Sequence, residues 1–96
     1  MILITAKAQV TEKDRAAFLA IAETQVTNSR KEPGCLSYTV SEDILAPGTF
    51  LFAEEWADQA AVEFHFAQDY CLAFMKQARK LAPGRPDMKI RKLEDT

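Results

Sequence analysis

The 96-residue sequence predicts one α+β domain, residues 1–96, in which strands and helices follow the order β-α-β-β-α-β. Two observations lead to this prediction. Several short segments alternate between apolar and polar side chains, as half-buried strands do, while two longer segments repeat apolar residues every three or four positions, as helices do. Pro and Gly pairs separate these segments and indicate turns between them.

The first strand is predicted over residues 1–10, where apolar and polar side chains alternate. A helix should follow, with Thr11 as its N-cap and Asp14 near the positive end of the helix dipole. The apolar stripe of this helix consists of Ala17, Phe18, Ile21, Ala22, Gln25 and Val26. Pro33-Gly34 cannot continue a helix, so the helix must end before this pair.

A second alternating segment, residues 36–41, and a third strand, residues 49–56, flank a loop at residues 43–48. Pro47-Gly48 in this loop suits a type II turn. Because the connection is short, the two strands are expected to pair as an antiparallel hairpin.

Asp58 can cap a second helix, which Gln68-Asp69 is expected to break, with Asp69 as a fresh cap. The stripe of the second piece consists of Leu72, Phe74, Met75, Ala78 and Leu81. Pro83-Gly84-Arg85-Pro86 should end the helix, and residues 88–93 form the last strand. The complete order is that of a ferredoxin-like domain, a four-stranded antiparallel sheet with helices on one face.

The third strand bears on the uncovered face of this sheet. Phe50, Leu51, Phe52 and Ala53 are consecutive, so apolar side chains are expected on both faces. A monomer rarely leaves such a patch in water. The sequence therefore predicts a homodimer that packs through its open sheet faces, with a covering loop as the alternative.

Composition and charge exclude several classes of partner. The net charge of −2 and the pI of about 5.3 argue against nucleic acid, and residues 89–92 are interpreted as the polar side of a strand. The sequence lacks the roughly 20 consecutive apolar residues of a membrane span, and residues 1–10 do not resemble a signal peptide. Cys35 and Cys71 are expected to be buried thiols in a reducing cytoplasm, although a bridge between them stays open.

Three segments, taken in order, resemble one family. Residues 32–38 (EPGCLSY), 49–56 (TFLFAEEW) and 58–65 (DQAAVEFH) are similar to motifs of the antibiotic-biosynthesis-monooxygenase (ABM) family. The resemblance implies a dimeric α+β barrel whose subunits each hold a pocket between sheet and helices. Some members are cofactor-independent monooxygenases for aromatic phenols or quinols, and others degrade haem, isomerise metabolites or have no known reaction.

His65 is the candidate catalytic residue. It is the only histidine in the chain, its side chain suits proton transfer near neutral pH, and it matches the histidine position of many ABM domains. On a continuous helix Asp69 would lie within reach of it. The alternative is a structural histidine. Glu63 and His65 would point in different directions, so no metal site is expected.

Aromatic side chains supply the expected substrate-binding surface. The residues predicted to bind a small aromatic substrate are Tyr38, Phe52, Trp56, Tyr70 and Phe74. Most of these aromatic side chains could equally belong to the hydrophobic core. Tyr70 stands where many relatives carry a second histidine, which argues against a mechanism that uses two histidines.

No cofactor is expected. The chain has three glycines and no glycine-rich nucleotide loop. Residues 73–76 (AFMK) lack the haem-ligating histidine of the haem-degrading branch, and Met75 fits packing. The predicted function is a cofactor-independent monooxygenase that oxidises a small quinol or phenol with O₂. The alternatives are an isomerase or tautomerase for a small metabolite, or a non-catalytic dimeric binding domain.

Overall fold

The computed structural model describes residues 1–84 and 87–94 and has the predicted architecture, with helices on one face of a four-stranded antiparallel sheet. The strands lie in the order β2-β3-β1-β4. The elements are β1 Ile2–Gln9, α1 Arg15–Ser29, β2 Cys35–Glu42, β3 Thr49–Trp56, α2 Gln59–Ala67, α3 Asp69–Leu81 and β4 Asp87–Lys92. The ferredoxin-like fold class and the β2–β3 hairpin are therefore confirmed.

The register of the central strands determines which side chains meet the helices. In the pairing of β1 with β3, Ile4 lies opposite Glu54, and Ala6 lies opposite Phe52. These side chains point toward the helices because successive residues of a strand alternate between faces. Lys7 opposite Leu51 belongs to the open face.

The start of α1 differs from the prediction. A short 3₁₀ turn, Glu12–Asp14, precedes the helix, and neither Thr11 nor Asp14 makes a side-chain capping hydrogen bond. Instead, the backbone N–H of Asp14 donates to the carbonyl of Thr11 over 3.0 Å. The buried stripe of α1 is Phe18, Ala22, Gln25 and Ser29, and Ala17 is exposed.

The second helical segment breaks where predicted. Asp58 caps α2 by accepting from the backbone N–H of Ala61 over 2.9 Å. Gln68 is extended and is itself the N-cap of α3, so the predicted cap at Asp69 is wrong. Cys71 is buried and Leu72 is 50% exposed, so the buried side of α3 includes Cys71 and not the predicted Leu72. Within the predicted helix stop, Arg85 and Pro86 lie outside the described residues.

The apolar side chains of β3 are divided between the two faces of the sheet. Phe50 and Phe52 both point toward the helices and are 1% and 5% exposed, because they are two positions apart in β3. Leu51 and Ala53 of β3 lie on the open face. Leu3 of β1 lies on the same face because side chains alternate in β1 as well. Apolar side chains therefore lie on both faces, as expected, but both phenylalanines belong to the face that the helices cover.

None of the helices in residues 1–84 and 87–94 is long and apolar enough to cross a membrane.

Candidate active site

A cavity of about 640 Å³ lies between the sheet and the helices. Apolar side chains make up much of its wall, namely Phe18, Phe52, Phe66, Phe74, Met75 and Ala78. Polar groups line it as well, namely Gln25, Tyr38, Glu54, His65 and Cys71. The cavity reaches the protein surface between the end of α3 and β4, where the exposed residues Arg79 and Met88 line it. Its apolar wall with few polar groups suits a small, largely apolar ligand.

His65 of α2 is 1% exposed and lines this cavity. Its Nδ1 lies 2.8 Å from Glu32 Oε2, and its Nε2 lies 3.6 Å from Cys71 Sγ. An ionised carboxylate can only accept hydrogen bonds, so Glu32 places the ring proton on Nδ1. The Nε2 lone pair is then available as a base.

The turn after α1 brings Glu32 to this position. The backbone N–H of Glu32 donates to the carbonyl of Ser29 over 3.1 Å, and the carbonyl of Glu32 accepts from Cys35 over 3.1 Å. A Cβ atom on Gly34 would lie 2.3 Å from the Cβ of Ala61 in α2. Glycine at position 34 therefore lets α2 pack directly on this turn, which holds His65 against Glu32.

Tyr70 supports Glu32 from the opposite side. Its hydroxyl donates to Glu32 Oε2 in a very short hydrogen bond and lies 3.3 Å from the hydroxyl of Ser29. Burial, followed by the hydrogen bond to Glu32, raises the pKa of Tyr70 above its ordinary value. The phenol therefore stays protonated and donates to the carboxylate.

Glu54 of β3 is a second titratable group in the cavity wall and is 4% exposed. Burial raises its pKa to about 7, and this outweighs the opposing hydrogen bonds from Trp56 and Tyr38. The indole Nε1 of Trp56 donates to Glu54 Oε1 over 3.0 Å, and His65 Nε2 lies 4.0 Å from the same oxygen. Glu54 can therefore exchange a proton near neutral pH beside the imidazole ring of His65.

Gln25, Tyr38 and Cys71 form a third group of polar contacts. Gln25 Nε2 lies 3.4 Å from the Tyr38 hydroxyl and 3.5 Å from Cys71 Sγ. Burial raises the pKa of both Tyr38 and Cys71. Cys71 is therefore a neutral thiol rather than a reactive thiolate.

The structure brings four of the predicted site residues to the cavity: His65, Tyr38, Phe52 and Phe74. Trp56 is fully buried, and neither it nor Tyr70 lines the cavity. Both lie behind the wall, Trp56 against Glu54 and Tyr70 against Glu32.

The expectation that Asp69 orients His65 is wrong, because the chain is not helical at Gln68 and Glu32 takes this position instead. Asp69 is exposed.

Sequence reasoning missed Glu32, Glu54 and the polar roles of Gln25 and Cys71. One signal was available for Glu54, since it alternates with Phe50, Phe52 and Trp56 and so had to share their buried face. In the part of the chain that the structure describes, no group of three or more His, Cys, Asp or Glu side chains is arranged to hold a metal ion.

Taken together, the fold and the cavity define a ferredoxin-like α+β protein in which buried titratable side chains line a cavity between the sheet and the helices. The family model for "Antibiotic biosynthesis monooxygenase" matches residues 1–77, and the chain belongs to this family.

The chain is also similar to two relatives in sequence and to a solved structure in fold. An uncharacterised Synechocystis protein is 33% identical over 99% of this chain, and the chain spans 65% of the length of that relative. A Bacillus subtilis protein, provisionally named monooxygenase YcnE, is 31% identical over 92% of this chain and 93% of its own. A provisionally assigned antibiotic biosynthesis monooxygenase from Deinococcus radiodurans shares the fold, with a TM-score of 0.91 at 24% identity, covering 100% of this chain and 95% of that chain.

Proposed function

We propose that the protein is a cofactor-independent monooxygenase that oxidises a small quinol or phenolic aromatic compound with O₂. The observation that carries this proposal is the position of His65, whose Nε2 faces an otherwise largely apolar cavity while Glu32 holds Nδ1. Membership of a family described as monooxygenases supports the same reaction class.

His65 has the role of the general base in this proposal. Its Nε2 takes the hydroxyl proton of the substrate, and the resulting anion gives one electron to O₂. The ring radical and superoxide then join in a carbon–oxygen bond, and the peroxide recovers the proton from His65. Loss of water leaves a new carbonyl on the ring. One atom of O₂ enters the product, and the other leaves as water. The substrate supplies all four electrons that reduce O₂.

The surrounding side chains position the substrate and exclude water. Phe52 and Phe74, whose ring centroids are 5.7 Å apart, give flat apolar contacts for an aromatic ring, and Tyr38 lies beside them. Trp56 and Tyr70 act through Glu54 and Glu32 rather than by touching the substrate. An apolar wall strengthens the electrostatic effect of each polar group because it lowers the local dielectric.

We also propose that two copies associate through the open sheet face, where Leu51 is 37% exposed and Ala53 lies beside it on the same face. The resemblance to dimeric barrels supports this arrangement. The unpaired cysteines Cys35 and Cys71 support the proposal that the protein works in the reducing cytoplasm.

Oxygen consumption with a hydroquinone tests the proposed reaction. Naphthohydroquinone is mixed with the protein in an oxygen electrode, and uptake without protein is subtracted. We expect enzyme-dependent uptake that His65→Ala abolishes and Leu72→Ala, on the exposed side of α3, leaves unchanged. Uptake that is equal in His65→Ala and the unaltered protein would refute the role of His65. Turnover of a substrate without oxygen would instead favour an isomerase or tautomerase.

A further inference from the structure

Gln25 lines the cavity with a side chain that is only 2% exposed. Its carbonyl oxygen Oε1 is buried and has no hydrogen-bond partner among residues 1–84 and 87–94. A buried amide oxygen without a donor is costly, because it has lost its hydration and gained nothing in return. A ligand in the cavity can supply the missing donor.

The neighbours of Gln25 fix which end of the amide is free. The Tyr38 hydroxyl acts against burial by lowering the pKa of Glu54, which indicates that it directs its proton toward this carboxyl group. The lone pairs of Tyr38 are therefore available to Gln25, and Gln25 Nε2 donates to Tyr38 over 3.4 Å and to Cys71 Sγ over 3.5 Å. This arrangement leaves the acceptor Oε1, rather than the donor Nε2, without a partner.

His65 Nε2 is a second acceptor at this end of the cavity. The Cys71 thiol, a weak donor, lies 3.6 Å from the lone pair of His65 Nε2. Glu54 already accepts from Trp56. A ring hydroxyl can donate to Gln25 Oε1, whereas a carbonyl oxygen at the same position would face an acceptor and gain no hydrogen bond from it.

We infer that Gln25 is a specificity-determining residue whose Oε1 accepts a hydrogen bond from a ring hydroxyl, so that the cavity binds the hydroxyl form of an aromatic ligand in preference to its carbonyl form. This inference rests on the proposed function, since it assigns the reduced form of the ring as the substrate. It also gives a physical reason for product release. Oxidation converts the donor into an acceptor, and the product then loses its hydrogen bond to Gln25.

The test compares the binding of naphthohydroquinone and naphthoquinone to the whole protein under anaerobic conditions, by calorimetry or tryptophan fluorescence. The two ligands have nearly the same shape and differ in their donors. We expect the unaltered protein to bind the hydroquinone about 3- to 10-fold more tightly, the ratio that one hydrogen bond of ordinary strength provides. In Gln25→Met, which keeps the length of the side chain, the hydroquinone should lose this advantage while the affinity for the quinone stays the same.

Two further variants keep the result interpretable. Gln25→Glu retains an acceptor oxygen and should retain the preference, which also covers the case in which Gln25→Met does not fold. Phe74→Leu removes part of the apolar wall and should lower the affinity for both ligands by the same factor.

The possible outcomes separate this inference from the proposed function. A hydroquinone that is bound and oxidised, but with a preference that Gln25→Met leaves intact, overturns the role of Gln25 and leaves the proposed reaction standing. A preference that depends on Gln25 without any oxygen uptake supports the inference and refutes the monooxygenase reaction. Equal affinity of the unaltered protein for both ligands, or binding of neither, overturns the inference.

Discussion

His65 Nδ1 and Glu32 Oε2 lie 2.8 Å apart and join helix α2 to the turn that follows α1. Both side chains are at least nine-tenths buried, and Tyr70 donates to the same carboxylate oxygen. The pair therefore fixes both the orientation of the imidazole ring and its tautomer. Glu32 is a positioning residue in this arrangement, because it acts on the substrate only through His65.

Glu32→Gln should lower kcat without a comparable change in KM. An amide can donate to Nδ1 and so move the ring proton to Nε2, which removes the lone pair that faces the cavity. Because a general base contributes about 100-fold or more to a rate, we expect kcat to fall by at least about 10-fold. Steady-state oxygen uptake measures the effect, with the exposed Glu23→Gln of α1 as the matched control. An unchanged kcat in Glu32→Gln would show that the pair is only structural.

Glu54 should make the protein less stable as pH rises toward neutrality. Its pKa is raised from 4.5 to about 7 in the folded state, so between these values the folded chain retains a proton that the unfolded chain has released. The free energy of unfolding therefore falls with rising pH, by on the order of 3 kcal/mol across this window.

Glu54→Gln removes this titration while preserving the shape of the side chain. Urea unfolding at about pH 4.5 and about pH 8 measures the stability difference between the two proteins. At the lower pH, the free energy of unfolding of the unaltered protein should be high compared with that of Glu54→Gln. This difference should disappear at the higher pH. The two proteins differ only at position 54, so the comparison isolates the contribution of this side chain. A difference that is the same at both pH values would contradict the raised pKa.

Gly34→Ala should weaken both the fold and the site. The added Cβ would lie 2.3 Å from the Cβ of Ala61, so α2 has to move away from the turn that carries Glu32. Such overpacking costs about 1–3 kcal/mol, which lowers Tm by roughly 4–8 °C for each kcal/mol in a domain of this size. Gly84→Ala is the control, since an added Cβ there meets no atom within 4 Å. Thermal unfolding that is the same for both variants would contradict this account of Gly34.

Leu51→Asp should convert the proposed dimer into a monomer. Leu51 lies on the open sheet face, where the proposed interface would bury the new charge. Sedimentation of the unaltered protein should give the dimer mass, and Leu72→Asp on the outer side of α3 should leave that mass unchanged. A monomeric unaltered protein, or a Leu51→Asp variant that stays dimeric, would count against this interface.

The sequence predicted the elements and their order well because each depends on local patterns. The alternation of β3 and the break at Gln68 can both be read from neighbouring residues. The partner of His65 could not be found in this way, because Glu32 is 33 positions away and reaches the imidazole only when α2 packs on the turn at Gly34. For the same reason sequence spacing favoured Asp69, which a continuous helix would have brought near. Substrate contacts were predicted for Trp56 and Tyr70, since each side chain has a polar hydrogen to donate. The buried carboxylates that accept these hydrogens, Glu54 and Glu32, could not be identified from the sequence.

Isotopically labelled oxygen gas provides the most direct test of the proposed monooxygenase reaction. The protein is incubated with naphthohydroquinone under labelled O₂, and the product is examined by mass spectrometry. A monooxygenase that relies on His65 should place one labelled oxygen atom in the product, and His65→Ala should place none above the background without protein. A product that carries no label, or that forms equally well without oxygen, would contradict the proposed function.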